Sequence, residues 1–369
     1  MKVIFRTDAS LHIGSGHVMR CLTLADALKA DGAQCHFICR EHPGNLIAQI
    51  RQRNFSVIVL PPAAEATINC KQKHETHTNY EALLGVDWDT DAAQAIVGIG
   101  GMVVDWLIVE HYALDARWEQ TLRPMCRSLM VIDDLANRPH DCDLLLDQNL
   151  GRNVRDYGQL VPLSCTVLVG PHYALLRSQF VALRDESLRR RAVPQLKRLL
   201  ITMGGVDQAD ATGKVLEALH DCQLLADLHI TVVMGPYAPW LERVQGLAKQ
   251  MPQPTDVMVS VDNIAQLMSD SDLAVGAAGS TSWERCCLGL PSIIVVLAAN
   301  QQLIANALEL SGAAKVFSIN EGMYPICELI AEQVKNNISL RNMSISAAEI
   351  VDGNGAVRIA AQLKTTLPV

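Results

Sequence analysis

The sequence predicts two doubly wound, Rossmann-like α/β domains that follow one another along the chain. Short apolar runs of strand length alternate with segments of helical periodicity, which is typical of a parallel sheet covered by helices on both faces. The pattern restarts at residues 199–203, an apolar run that ends in glycines as the first strand does. The chain has 369 residues, more than one hydrophobic core usually supports, so two domains are expected.

The first half is predicted to begin with a strand at 2–6. Apolar residues at helical spacing follow from Val18 to Leu28, and Asp31-Gly32 ends that helix. The later elements of this half are a strand at 34–39, a helix at 46–51, a strand at 56–60, a less regular polar region at 64–80, a helix at 91–98 and strands at 106–109, 128–132, 144–146 and 166–170.

The second half follows a stretch rich in arginine and leucine at 171–194, which is predicted to contain a helix. Its strands are predicted at 199–203, 229–234, 257–259, 273–276 and 292–296. We therefore expect an N-terminal domain at 1–170, a connector at 171–195 and a C-terminal domain at 196–369. In such an arrangement the carboxyl ends of both sheets face a cleft, where ligands bind.

Composition favours a folded protein that acts on a small molecule. Hydrophobic residues make up 49% of the chain and charged residues 19%, and the net charge of −8 without a basic stripe argues against a nucleic-acid partner. No apolar run reaches the roughly 18 residues that span a bilayer, and no signal peptide precedes the first strand. These features predict a cytoplasmic protein with no membrane partner, and the lack of heptads predicts a monomer.

The eleven cysteines include no Cys-x-x-Cys pair. They are interpreted as small buried hydrophobic residues in a reducing compartment, and not as a disulfide framework or a zinc site.

The loop after the first strand is the first candidate site. Gly14 and Gly16 allow the backbone to approach a ligand closely, and His17 stands where the next helix begins. Histidine transfers protons near neutral pH, so His17 is predicted to be an acid–base residue; the alternative is a residue that caps the helix. Arg6 and Asp8 are predicted to orient His17 or contact substrate, or else to form an internal salt bridge.

A dinucleotide fingerprint is excluded at this loop. Met19 stands where a third glycine is needed, and the second strand ends in Cys39-Arg40 with no acidic residue for a ribose. A nicotinamide cofactor is therefore disfavoured, and no cofactor is expected.

The second candidate site is the small-residue loop at 276–284, which follows another strand. Its Gly279, Ser280, Thr281 and Ser282 leave room for a diphosphate near the N–H groups of a helix's first turn. Glu284 is predicted to accept hydrogen bonds from two ribose hydroxyls, or to be the acid of a capping box.

Two pairs after other strands of the second half are weaker candidates. Gly204 and Gly205 are predicted to contact the same diphosphate or to form only a turn. Asn300 and Gln301 carry amides suited to sugar or phosphate oxygens, or to capping the next helix.

The first half adds polar residues after two strands. Asp133 and Asp134 are neighbours, and strand neighbours point to opposite faces, so we expect one of them at the cleft and no metal. Glu110 and Tyr112 follow the strand at 106–109 and are further candidates.

Taken together, these residues resemble the UDP-2,4-diacetamido-2,4,6-trideoxy-β-L-altropyranose hydrolases of pseudaminic acid biosynthesis. The resemblance spans nearly the whole chain, with Glu110 in place of an aspartate and Ser15 in place of a threonine. The motifs that carry it lie at 6–10, 13–20, 105–115, 132–138, 170–177, 203–207, 276–284, 300–301 and 352–356.

The resemblance implies a fold similar to the GT-B glycosyltransferases, among them the lipid II-forming N-acetylglucosaminyltransferase. It implies that water attacks the anomeric carbon, that the sugar C–O bond breaks without a metal, and that UDP leaves, with His17 as general base. The residues expected to bind UDP are Gly204, Gly205, Gly279, Ser280, Thr281, Ser282 and Glu284. The residues expected to contact the remainder of the substrate are Arg6, Asp8, Gly14, Gly16, Tyr112, Asp133, Asn300 and Gln301.

Three alternatives stay open. A glycosyltransferase of the same fold would pass the sugar from UDP to an acceptor. A hydrolase for a related sugar would act in legionaminic acid or spore-coat polysaccharide synthesis. A non-catalytic module would only bind the nucleotide sugar.

Overall fold

The computed structural model describes residues 1–62, 80–222, 224–323 and 325–366. The chain divides into two compact units, one made of Met1–Leu175 with Gly355–Val369 and the other of Leu176–Asn354. Most of the polar region predicted at 64–80 lies outside the described residues. No helix among the described residues has both the length and the apolar character needed to cross a membrane.

Unit 1 is a parallel sheet with helices beside it. Its strands are β1 (Lys2–Thr7), β2 (Gln34–Arg40), β3 (Ser56–Leu60), β4 (Val104–Glu110), β5 (Cys126–Ile132), β6 (Leu144–Asp147) and β7 (Thr166–Val169). Its helices are α1 (Gly16–Ala30), α2 (Ile47–Gln52), α3 (Trp88–Ile99), α4 (Ala116–Leu122) and, at the end of the chain, α13 (Gly355–Thr365). The strand order is β3-β2-β1-β4-β5-β6-β7.

Alternating side chains of β1 explain why this sheet is covered on both faces. Val3 and Phe5 belong to one buried cluster, and Ile4 belongs to another. Since successive strand residues point to opposite faces, an uninterrupted apolar strand needs a core on each side.

Unit 2 repeats this design. Its strands are β8 (Arg198–Thr202), β9 (His229–Met234), β10 (Thr255–Val259), β11 (Leu273–Ala277), β12 (Ser292–Val296) and β13 (Ala314–Ser318). Its helices are α5 (Ser178–Arg191), α6 (Ala211–His220), α7 (Leu241–Ala248), α8 (Ile264–Asp270), α9 (Thr281–Cys287), α10 (Gln302–Leu310), α11 (Pro325–Lys335) and α12 (Asn337–Ile350). The order β10-β9-β8-β11-β12-β13 is again parallel throughout.

The division of the chain differs from the expected one at both ends of unit 2. The predicted C-terminal domain at 196–369 loses α13 to unit 1, where Ile359 and Leu363 are fully buried and the Trp106 indole donates to the Leu363 carbonyl at 2.9 Å. The predicted connector at 171–195 is mostly α5, which belongs to unit 2 because its Ser187 hydroxyl donates to the Leu288 carbonyl at 2.7 Å.

The reading of all cysteines as unpaired is wrong for one pair. Cys222 and Cys327 form a disulfide across a sequence separation of 105 residues, a distance at which spacing carries no signal. The eight other cysteines among the described residues are free.

Candidate functional site

The candidate residues of unit 1 follow the strands at which its sheet reverses order. β1 and β4 are paired neighbours, but the chain continues from them toward opposite edges of the sheet, which opens a crevice at their carboxyl ends. The loop that carries Gly14 and Gly16 follows β1, and Tyr112 follows β4. The topology therefore brings His17 and Tyr112 together, as the sequence predicts for a site.

His17 lies in the first turn of α1 and its side chain contacts the end of β4. The residue is 5% exposed. Its Nδ1 lies 3.5 Å from the carbonyl oxygen of Glu110, an acceptor, so the neutral ring carries its proton on Nδ1 and its lone pair on Nε2. The Tyr112 ring meets the imidazole edge-on, with centroids 4.5 Å apart. His17 is thus oriented by β4 and does not cap the helix; the N-cap is Ser15.

A network of charged side chains lies around His17. Arg20, one turn along α1, pairs with the Glu110 carboxylate and lies 3.1 Å from Asp134 Oδ2. Burial, with Arg20 adding to it, lowers the pKa of His17 to about 4. The imidazole is therefore neutral at pH 7, as a general base must be.

Glu110, whose role the sequence left open, is a partner of this network. Its carboxylate accepts from Cys21 Sγ at 3.3 Å as well as from Arg20. Burial raises the pKa of Glu110 to about 7 although the Arg20 charge opposes the shift. Arg20 received no role from the sequence, but its position three residues after His17 places both on one helix face.

Arg6 and Asp8 lie inside the protein, and the structure supports the internal salt bridge. Both are 0% exposed. Arg6 Nη2 lies 2.8 Å from Asp8 and 2.7 Å from Asp91, and Asp8 accepts from the Arg40 N–H at 2.7 Å. Burial opposes ionisation of Asp8, but Arg6, His42 and His111 together outweigh it, so the pKa of Asp8 stays well below its usual value. Arg6 and Asp8 thus form the internal salt bridge that the sequence offers as an alternative, and the pair joins the ends of β1 and β2 beneath the loop.

The two glycines of the loop stand beside open space. A Cβ added at Gly14 or Gly16 would meet no atom within 4 Å. Gly14 has φ +79°, and its N–H donates to the Ser10 carbonyl at 2.8 Å. Glycine is thus required at position 14 by the backbone, and both positions leave room for a ligand.

The neighbouring aspartates after β5 divide as strand geometry predicts, but Asp133 is the internal one. Its carboxylate accepts from Arg138, from the Tyr157 hydroxyl and from the Ala136 N–H, and the residue is 2% exposed. Asp134 is instead the member that joins the His17 network. The Asp133 carboxylate is thus engaged by internal hydrogen bonds.

In unit 2 the loop at 276–284 connects β11 to α9. The N–H groups of Ser282 and Trp283 donate to the Gly279 and Ser280 carbonyls, and the Gly279 N–H points to the Ser282 hydroxyl. Ser282 is buried, and its Oγ accepts a further hydrogen bond from Arg285. Its side chain therefore shapes the loop, which leaves the exposed Ser280 and the half-buried Thr281 for a ligand.

Glu284 does not close a capping box. It lies past the third residue of α9, and Ser280 makes no capping hydrogen bond with its side chain. Its Oε1 accepts from Arg177 Nη2 at 3.1 Å. Burial raises the pKa of Glu284, and the Arg177 charge opposes the rise. The structure therefore leaves the carboxylate at the loop, with one oxygen engaged.

The Gly204-Gly205 loop after β8 differs from an open anion cradle. The Asp207 carboxylate accepts from the Ala211 and Thr212 N–H groups, both at 2.9 Å. The N-terminus of α6 is thus occupied by a carboxylate of the protein itself, and only the glycine backbone is left for a ligand.

The Gln301 side chain turns back along the chain: its Oε1 accepts from the Leu297 N–H at 3.0 Å, and it makes no capping hydrogen bond to α10. The short 3₁₀ turn Ala299–Gln301 also contains Asn300. The described residues include no group of three or more His, Cys, Asp or Glu side chains arranged to hold a metal ion.

Comparisons with known proteins point to nucleotide-sugar enzymes and their relatives. Residues 199–362 match the glycosyltransferase family 28 C-terminal domain. Uncharacterized protein MJ1062 of Methanocaldococcus jannaschii is 26% identical over 305 residues, which are 82% of this chain but only 56% of that protein. The UDP-2,4-diacetamido-2,4,6-trideoxy-β-L-altropyranose hydrolase of Campylobacter jejuni is 25% identical over 312 residues, 85% of this chain and 97% of that enzyme.

The fold itself is GT-B-like. MurG from Acinetobacter baumannii superposes with a TM-score of 0.67 over 99% of each chain, at 14% sequence identity. At this identity the likeness concerns the fold and not the reaction.

Proposed function

We propose that this protein hydrolyses a UDP-linked 2,4-diacetamido-2,4,6-trideoxy sugar of L-altrose configuration to the free sugar and UDP, as a step of pseudaminic acid synthesis. The observation that carries the proposal is His17, a neutral imidazole held by the Glu110 carbonyl and the Tyr112 ring in an open glycine loop. The substrate is suggested by the name of the Campylobacter relative, with which the chain aligns over 85% of its length.

In this proposal His17 Nε2 removes a proton from water as the water oxygen bonds to the anomeric carbon. The bond from that carbon to the phosphate oxygen breaks, and its electron pair leaves with UDP. The general base contributes about 10²–10⁴-fold to the rate. The low pKa of His17 keeps the lone pair available throughout the neutral range.

The second unit supplies the nucleotide site in this proposal. The backbone at Gly279, Ser280 and Thr281 faces the diphosphate, and Glu284 accepts hydrogen bonds from the ribose. The match of residues 199–362 to a glycosyltransferase domain supports this assignment. Gly204 and Gly205 add backbone contacts from the loop after β8.

The reaction is tested by incubating the protein with the UDP-sugar in buffer alone. Steady release of UDP with one equivalent of free sugar supports hydrolysis, and NMR of the products identifies the sugar and the anomer formed first. His17→Ala is expected to lower the rate about 10²–10⁴-fold while UDP still binds. His12→Ala is the matched control, because His12 is an exposed residue of the same loop.

A glycosyltransferase is the second candidate, favoured by the match of residues 199–362 to a glycosyltransferase domain. It predicts that UDP is released only after a sugar or lipid acceptor is added. That result would overturn the hydrolase. If His17→Ala releases UDP at the wild-type rate, His17 has no part in the mechanism. If the wild type binds the UDP-sugar but releases no UDP, the result favours a module that only binds the nucleotide sugar.

A further inference from the structure

Arg285 is an arginine enclosed beneath the loop at 276–284. It is 1% exposed, and its Nη2 donates to the Ala277 carbonyl at 2.9 Å and to the Ser282 hydroxyl at 3.0 Å. Its Nε and Nη1 have no hydrogen-bond partner in the part of the chain that the structure describes. The adjacent carboxylate, Glu284, is paired with Arg177 instead. A guanidinium with two unused donors thus lies under the loop.

Such a guanidinium lowers the stability of the fold unless a group of opposite charge pairs with it, because a buried cation without a partner loses its hydration and gains no interaction in exchange. Burial lowers the pKa of Arg285 to about 10, so the side chain is still charged at pH 7. A second buried arginine of unit 2 shows the contrast. Arg191 donates to four backbone carbonyl groups, those of Ser187, Met268, Ser269 and Ser271.

The surrounding sequence makes room for this guanidinium at the strand ends. A Cβ at Gly276 would lie 2.3 Å from Arg285 Nη1 and 2.7 Å from the Thr202 carbonyl oxygen. Thr202 ends β8 and Gly276 belongs to β11, and these paired strands are where the second sheet reverses its order. Ligands of doubly wound sheets bind at this point. The charge of Arg285 therefore lies beside Gly276, in the strand that pairs with β8 at this point.

We propose that Arg285 is the buried cation that makes this loop selective for a nucleoside diphosphate over an uncharged nucleoside. The inference rests on the proposed function, since it concerns the nucleotide site of that reaction. Arg285 is a positioning residue: it acts through the loop, holding Ala277 and Ser282 in place and placing a positive charge beneath the diphosphate. The same charge stabilises the additional negative charge that UDP gains as it leaves the sugar.

The test compares the affinities of uridine, UMP and UDP for the full-length protein by calorimetry. Arg285→Gln removes the charge but keeps a shorter side chain with an amide donor, and Arg285→Met removes both the charge and the donor. In each variant UDP is expected to bind about 10- to 100-fold more weakly, while uridine changes by less than about twofold, because only UDP carries charges for the guanidinium to attract.

Arg191→Met is the matched control, since it removes a buried guanidinium from the same unit and is expected to leave the preference for UDP over uridine unchanged. Circular dichroism identifies which Arg285 variants fold. Equal weakening of all three ligands in a folded variant would make Arg285 structural only. A wild-type protein that binds uridine as tightly as UDP would also overturn the proposal.

The result of the Arg285 test can be distinguished from the result of the test for hydrolysis. If the wild type selects UDP through Arg285 but releases no sugar from the UDP-sugar, the hydrolase fails and the role of Arg285 stands. If the wild type hydrolyses the UDP-sugar while both folded Arg285 variants keep the wild-type preference for UDP, the role of Arg285 fails and the hydrolase stands.

Discussion

A histidine in water changes charge near pH 6.5, so an exposed imidazole is only partly neutral under physiological conditions. At His17, burial and the nearby Arg20 charge both disfavour the imidazolium form, whereas Asp134, Asp8 and the Glu110 carbonyl favour it. Burial and Arg20 outweigh the others. The imidazole therefore stays neutral across the physiological range, and its affinity for a proton is lower than that of an exposed histidine.

The first prediction concerns the pH profile of kcat/KM for UDP release. Because the pKa of His17 is lowered to about 4, the base is active above that pH, and kcat/KM is expected to fall only as pH drops through about 4. A fall centred near 6.5 that persists in the Glu110→Gln variant would contradict this prediction. Glu110, with a pKa of about 7, is the other group that titrates beside His17; Glu110→Gln should abolish any additional change near pH 7.

The second prediction concerns Asp91, which the sequence predicts only to lie in a helix. Its carboxylate binds the buried guanidinium groups of Arg6 and Arg40 and the Trp118 indole. Asp91→Ala leaves two buried cations without this partner and is expected to lower the free energy of unfolding by about 3–5 kcal/mol. Denaturant unfolding measures the loss.

The control for Asp91 is Asp26→Ala, which breaks the partly exposed pair with Arg53 and is expected to cost about 0–1 kcal/mol. Equal losses in the two variants would show that the network beneath the histidine loop contributes little to stability.

At the scale of elements, the glycine loops of unit 2 depend on one close backbone contact. A Cβ at Gly235, just after β9, would lie 1.9 Å from the Gly205 carbonyl oxygen. A backbone atom cannot move aside as a flexible side chain can, so the Gly204-Gly205 loop would have to shift. The sequence could not reveal this contact, because positions 205 and 235 are brought together only by the pairing of β8 with β9.

The third prediction follows from this contact. Gly235→Ala is expected to lower the free energy of unfolding by about 1–3 kcal/mol, as overpacking does. It is also expected to weaken UDP binding. Gly246→Ala is the control. Gly246 lies in α7, and no atom lies within 4 Å of the Cβ that the substitution adds. A helix with alanine at an interior position is more stable than one with glycine by about 0.5–1 kcal/mol. A stable Gly235→Ala protein with unchanged UDP affinity would contradict the prediction.

Most elements could be predicted because strands and helices each have a characteristic local periodicity of apolar residues. β3, β9 and β12 have the predicted bounds. The strand β13 (Ala314–Ser318) was missed, since its apolar residues are interrupted by Lys315 and it is an edge strand of the sheet. Edge strands carry charges more often than central ones, so their pattern is weaker.

At the scale of the whole molecule, the chain passes out of unit 1 once and returns to it with α13. The segment after Asn354 directly follows unit 2 in sequence, yet its apolar face packs on α1 and on the Trp106 strand. Sequence adjacency predicts the wrong unit here, because a helix joins the core that its buried face complements.

The fourth prediction tests this assignment by truncation after Asn354. Removing α13 exposes the core of unit 1 around Leu22 and Trp106, so hydrogen exchange in α1 and β1 is expected to accelerate, while β8 and β11 keep their protection. Hydrogen–deuterium exchange with mass spectrometry provides the measurement. Loss of protection confined to unit 2 would restore the sequence-based boundary.

The sequence by itself determined the two parallel-sheet domains and the small-residue loops that follow their strands, because strand periodicity, glycines and small residues act over a few neighbouring positions. Only the tertiary structure decided that Arg6 and Asp8 pair internally, that Asp134 and not Asp133 joins the His17 network, and that Arg285 lies uncompensated beneath its loop. Those outcomes depend on burial and on partners far away in the chain, such as Asp91 for Arg6 and Arg20 for Asp134. Charge pairing is decided by which groups the fold removes from water together, and that is a property of the packed molecule.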